Sequence, residues 1–150
     1  MRKLILLLDI AAVLVMVCLT ACSSQPATPA TFSDICQKIG NQVVIEGYLR
    51  LPVMGTTCKS NRCMLTLISD LQGQVQSITA QVRNTAKPDS GVNAMEPLPE
   101  KFRTQDLRIH VNDGTVANPN AKLKLVGAVQ KAGDNCELSV DVIEVVQPAK

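Results

Sequence analysis

The chain carries one histidine, His110, and so has few ways to build a general base. His110 falls among Leu107, Ile109 and Val111 in an alternating stretch that predicts a strand, with the imidazole on the outer face beside Arg108. That placement predicts a solvated histidine. Glu46, Glu137, Asp141 and Glu144 also lie in strand-like stretches. Two carboxylates about 5–10 Å apart can perform glycoside chemistry, but acidic residues strung along strands are expected to form a solvated face. Ser69, Ser77 and Ser139 lack the Gly-x-Ser-x-Gly turn that presents a serine nucleophile. The sequence holds no phosphate-cradling glycine loop, no Cys-x-x-Cys redox pair and no HExxH helix. Asn112-Asp113-Gly114 lacks the spaced acidic positions of a calcium loop and reads as a hairpin turn. No enzyme, cofactor or metal is expected.

The cysteines come next. Zinc is held by close Cys or His pairs that recur along the chain. Here Cys58-x4-Cys63 is a single close pair, and Cys36 and Cys136 stand far from it and from each other. That spacing is poor for a metal site and suits disulfides, provided that the chain is exported.

The first residues supply that condition. Arg2 and Lys3 give a basic start, and residues 4–19 are apolar except for Asp9, which is the pattern of an export signal. The segment is short for a membrane span, which needs about 20 apolar residues, and Asp9 opposes one further. Leu19-Thr20-Ala21-Cys22 resembles the lipobox of bacterial lipoproteins, an aliphatic and two small residues before a cysteine. The resemblance implies that Cys22 receives a diacylglyceryl group and becomes the mature N-terminus, so that residues 1–21 are a removed signal peptide. It implies a membrane partner through the N-terminal lipid and a domain on the extracytoplasmic side of the cell envelope. Ser23 differs from the Asp that retains such proteins at the inner membrane of Gram-negative bacteria. A secretory signal cleaved nearby, leaving Cys22 a spare thiol, is the alternative. Residues 22–31, with two prolines and no apolar periodicity, read as a tether; its nine residues after Cys22 reach roughly 28 Å when extended.

Residues 32–150 have the size of one domain. Removing Arg2, Lys3 and Asp9 with the signal leaves thirteen Lys/Arg against twelve Asp/Glu, with no basic stripe to bind nucleic acid. The aromatic residues are Phe32, Tyr48 and Phe102, too few for stacking bases or sugars. Cys18 leaves with the signal, and Cys36, Cys58, Cys63 and Cys136 remain, an even number in an exported domain. Three pairings are open. The favoured one is Cys58–Cys63, stapling a hairpin loop, with Cys36–Cys136 tying the first element to the last.

Phe32, Ile35, Cys36 and Ile39 fall at helical spacing before Gly40 and predict a short N-terminal helix. Alternation then predicts strands over 42–50 (Val43, Ile45, Gly47 and Leu49 on one side), 62–69 (Cys63, Leu65, Leu67) and 75–82 (Ile78, Ala80, Val82). Residues 84–105, with Pro88, Gly91, Pro97 and Pro99, read as a long irregular loop, a kind that is often functional. A terminal hairpin is expected to turn inward Leu123, Leu125 and Val129 on one arm and Leu138, Val140 and Val142 on the other, with Gly127 permitting a bulge. The expected fold is all-β, a small and strongly bent barrel of five or six strands; a β-sandwich is the alternative. The strand pattern over residues 40–146, with a glycine inside strand 42–50, resembles OB-fold domains, although such domains carry a helix where this chain has its proline-rich loop.

The resemblance implies binding across the second and third strands and the adjoining loops. On this chain that points to Met64, Thr66, Ile68, Gln74 and Gln76, with Met95 nearby. The function expected is a lipid-anchored, non-catalytic envelope module that binds a protein or a small ligand. A structural envelope lipoprotein without a specific ligand is the alternative.

Overall fold

The computed structural model describes residues 26–85 and 91–146. The expected signal peptide, the Cys22 lipidation site and the start of the tether lie outside these residues. The described chain forms ten strands: β1 (Thr28–Pro29), β2 (Gln42–Arg50), β3 (Cys58–Lys59), β4 (Arg62–Ile68), β5 (Ser77–Asn84), β6 (Ala94–Met95), β7 (Ile109–His110), β8 (Val116–Ala117), β9 (Leu123–Ala132) and β10 (Asn135–Val145).

The five long strands close a barrel. β4 pairs antiparallel with both β2 and β5, β2 pairs with β9, β9 with β10, and β10 runs parallel to β5. This closure overturns the sandwich alternative. Burial follows the period of two that strand geometry imposes. Val43, Ile45 and Leu49 of β2 point inward with Cys63, Leu65 and Leu67 of β4 and Ile78, Ala80 and Val82 of β5.

The last strand departs from simple alternation. The β9–β10 register shifts between Val140 and Val142, so Asp141 is the extra residue of a bulge. Beyond it Ile143, not Val142, enters the core. Val140 pairs with Gly127, where a Cβ would lie 2.2 Å from the carbonyl oxygen of Ser139. The glycine is thus required by the close approach of the bulged strand.

No α-helix occurs among the described residues, so the expected N-terminal helix is corrected to a single 3-10 turn, Ile35–Lys38. So short a segment gains too few hydrogen bonds to hold an α-helix by itself. Tertiary contacts fix it instead. Ile35 is buried in the barrel core, and the Gly40 N–H donates to the Val129 carbonyl at 2.8 Å. Cys36 is bonded to Cys136 at the start of β10, and Cys58 to Cys63 across the β3–β4 hairpin. Both are the favoured pairings.

The stretch expected as an irregular loop is partly ordered into the sheet. β6 continues beside β5, with Met95 opposite Asn84, and β7 and β8 follow in sequence. His110 is consequently buried, which corrects its expected position on an outer face. Segment 94–96 covers the side of β7 that the sequence pattern assigned to solvent.

Candidate functional site

The outer face of β4 is set by the same alternation that fills the core. Met64, Thr66 and Ile68 lie between the buried positions and are half-exposed. Register then supplies their neighbours. Met64 stands opposite Gln81, Thr66 opposite Thr79 and Ile68 opposite Ser77 on β5. On the other flank Tyr48 stands opposite Ile68 and Arg50 opposite Thr66 on β2. The alternation that turns Val43, Ile45 and Leu49 inward leaves Tyr48 and Arg50 on the opposite side of β2 but does not join them to this face, because register cannot be read from alternation alone.

Gln74 and Gln76 are exposed in the turn between β4 and β5. The Gln76 N–H donates to Ser69 Oγ at 3.0 Å, and Asp70 Oδ1 accepts from the N–H groups of Leu71 and Gln72, at 2.6 and 3.2 Å. The turn is therefore fixed at the end of the face. Met95 does not join it. It is fully buried, because β6 lies against the end of β5 and turns this side chain into the core. Its expected place among the binding residues is corrected to a structural one.

Where the face meets the N-terminal segment, a concavity of about 350 Å³ opens. Thr66, Ser77 and Thr79 contribute hydroxyls, Asn135 an amide, and Phe32 and Cys36 form the opposite wall. Among the described residues, no ionisable side chain lines it. Such a lining can exchange hydrogen bonds with a neutral polar group and lay an apolar edge against Phe32. Arg50 is held at the margin, donating to the carbonyls of Leu49 and Pro119 at 3.0 and 2.6 Å and to Asn120 Oδ1 at 3.0 Å.

A larger hollow, about 410 Å³, lies between residues 96–108 and 116–119. Its charged groups already have partners, Asp106 Oδ2 accepting the Arg103 N–H at 2.7 Å. Glu96 Oε1 accepts from His110 Nε2 at 2.8 Å, and Glu96 Oε2 lies 3.8 Å from Arg108 Nε. The four strand carboxylates likewise face donors. Glu46 pairs with Lys122 and Glu144 with Lys124, each at 2.8 Å, and Asp141 lies 3.7 Å from Arg62. Glu137 accepts from Gln81 Nε2 at 2.5 Å. Both lysines are held above their ordinary range, chiefly by the hydrogen bond to the partner carboxylate.

No family model matches the chain, and no curated protein matches it. Among solved structures, the chain is similar to an OBody, AM1L10, described bound to hen egg-white lysozyme. The two are 14% identical with a TM-score of 0.43, over 85% of this chain and 99% of that chain.

Proposed function

We propose that this chain is a lipid-anchored, non-catalytic module of a bacterial cell envelope, which presents an OB-like face to a protein or a small neutral ligand. The observation that carries the reading is the Thr66-centred face with its uncharged, hydroxyl-lined concavity. Four further features support it. The circuit β2-β4-β5-β10-β9, closed on β2 with a parallel β5–β10 pair, follows OB connectivity. The strap around Ile35 occupies the core at the end of the barrel, and among the described residues no α-helix lies between the third and fourth barrel strands. Two disulfides fit an oxidising compartment. Leu19-Thr20-Ala21-Cys22 supplies the attachment point.

The test is a photo-crosslinking residue at Thr66 in the full chain, expressed in cells with and without C22S. One dominant crosslinked species, formed by the anchored form and lost on C22S, is expected. A diffuse ladder of abundant envelope proteins, with no small ligand retained on purification, would favour the purely structural reading. Unchanged membrane retention and undiminished palmitate labelling in C22S would remove the lipoprotein reading itself.

A further inference from the structure

A second surface stands apart from the Thr66 face. Val53 and Met54 are 105% and 98% exposed, well beyond the next most exposed large apolar side chain, Val75 at 47%. They occupy the two central positions of a turn in which the Gly55 N–H donates to the Pro52 carbonyl at 3.0 Å. Gly55 itself takes a φ of +89°, which only glycine adopts without strain.

The loop holding this turn is anchored at both ends. Leu51 packs against the core at its root. On the return arm Thr56 Oγ1 donates to the Met64 carbonyl at 2.9 Å, and the Met64 N–H donates to the Thr57 carbonyl at 3.0 Å. The Cys58–Cys63 disulfide follows at once. The two apolar side chains are therefore held out in water by a braced loop, and a soluble surface gains nothing from that arrangement.

Charge identifies what would cover them. Between Glu46 and Asp70 the chain has no acidic residue and three cations, Arg50, Lys59 and Arg62. Among the described residues Arg50 is bonded only to neutral oxygens and faces no carboxylate partner. Lys59 is exposed on β3 and has no ion-pair partner among the described residues. Arg62 lies near Asp141. An apolar tip with two cations that have no carboxylate partner among the described residues, Arg50 before it and Lys59 after it in the chain, is complementary to an anionic bilayer surface, whose acyl boundary takes the tip while its headgroups attract the cations.

We propose that the Pro52–Gly55 turn is a membrane-contacting finger that inserts Val53 and Met54 into the interface of an anionic phospholipid bilayer. This contact goes beyond the function proposed above and does not depend on Cys22. In a lipid-anchored protein it would give the barrel a second point of attachment and thus a fixed orientation on the membrane.

The chain has no tryptophan, so M54W places a single indole at the tip, and L71W places one in the exposed turn at the other end of β4. Each full-chain variant, purified from its host, is bound to vesicles of phosphatidylethanolamine and phosphatidylglycerol containing brominated acyl chains. The M54W indole is expected to shift to shorter wavelength and be quenched, whereas that of L71W stays water-exposed and unquenched. Adding K59A to M54W should lower the quenching severalfold, since one surface cation changes partitioning by about fivefold. The readout is local to the loop, so it answers the question whether or not Cys22 holds the chain to the vesicle. Three results would each overturn the proposal: an unquenched M54W indole on vesicle-bound protein, no vesicle binding at all by protein that lacks the lipid, or shielding only when a second envelope protein is added.

Discussion

Asn93 Oδ1 accepts the backbone N–H of Ile143 at 2.7 Å, and the Ile143 carbonyl accepts the N–H of Asn112 at 2.8 Å. β10 pairs with β5 only through Glu137–Ser139, so beyond that point its backbone needs other partners. One asparagine side chain and one loop amide serve as a substitute strand. Asn93 Nδ2 also donates to Asn112 Oδ1 at 3.2 Å, which ties the two partners together.

Removing this clasp leaves a buried N–H unpaired. N93A is therefore expected to lower unfolding stability by about 1–3 kcal/mol. Asn93 has a φ of +54°, so alanine adds left-handed strain that glycine escapes. N93G should lie above N93A by about 1 kcal/mol. Urea midpoints of the two variants decide this, and equal midpoints would show that the conformation at Asn93 carries no cost.

The bulge at Asp141 predicts a reversal of two neighbouring valine and isoleucine effects. Ile143 is fully buried and Val142 is not. I143A is expected to cost about 2–5 kcal/mol, and V142A less than about 1.5. Were V142A the more damaging, β10 would pair without the bulge. G127A provides a second check, because its methyl group meets the Ser139 carbonyl oxygen.

Much of the barrel was legible in the sequence because its strands are covered on one face only. Val43, Ile45 and Leu49 or Cys63, Leu65 and Leu67 then announce their own orientation. Four features were not legible, for separate reasons. Val142 lost its inward place to a bulge that Gly127 permits but does not locate. His110 and Met95 lie in strands of two residues, too short for a period to register, and both are covered from two sides. The Ile35 turn kept its buried residue but not its helical length, since the Cys36–Cys136 bond and the barrel end fix it. The candidate face was half legible. Met64, Thr66 and Ile68 followed from alternation, while Tyr48 and Arg50 join them through a register that only pairing reveals.

Acid stability should depend on the turn that leads from β7 to β8. Asp113 Oδ1 accepts from Thr115 Oγ1 at 2.7 Å and from the Thr115 N–H at 2.9 Å. These bonds, the hydroxyl foremost, hold the Asp113 carboxyl below its ordinary value. A carboxyl depressed in the folded state stabilises the fold fully above its unfolded pKa of about 3.9, and the contribution disappears as pH falls through the folded value. D113N should therefore be less stable than the natural chain near neutrality, with the difference shrinking below about pH 4. Asp34, lowered chiefly by the Thr31 N–H, adds to the same acid slope, so D113N reduces the slope without abolishing it. A difference that is constant from neutral to acid pH would show that Asp113 does not titrate differently in the two states.

The two disulfides should differ in what they contribute, because they close loops of very different length. Cys36 and Cys136 are 100 residues apart, Cys58 and Cys63 only 5. In the chain-entropy account the long loop contributes about 4–5 kcal/mol and the short one about 2. The long bond has a second consequence. It holds the 3-10 turn whose Ile35 fills the core, so its loss also frees that residue to leave. The double variant C36S/C136S is expected to unfold at much lower urea and with a steeper temperature sensitivity than C58S/C63S. The I35A substitution should then cost about 2–5 kcal/mol in the oxidised protein, and clearly less once C36S/C136S has loosened the strap. That non-additivity is the decisive quantity. If I35A costs the same in both backgrounds, Ile35 stays seated without the bond, and the disulfide acts on the unfolded chain alone.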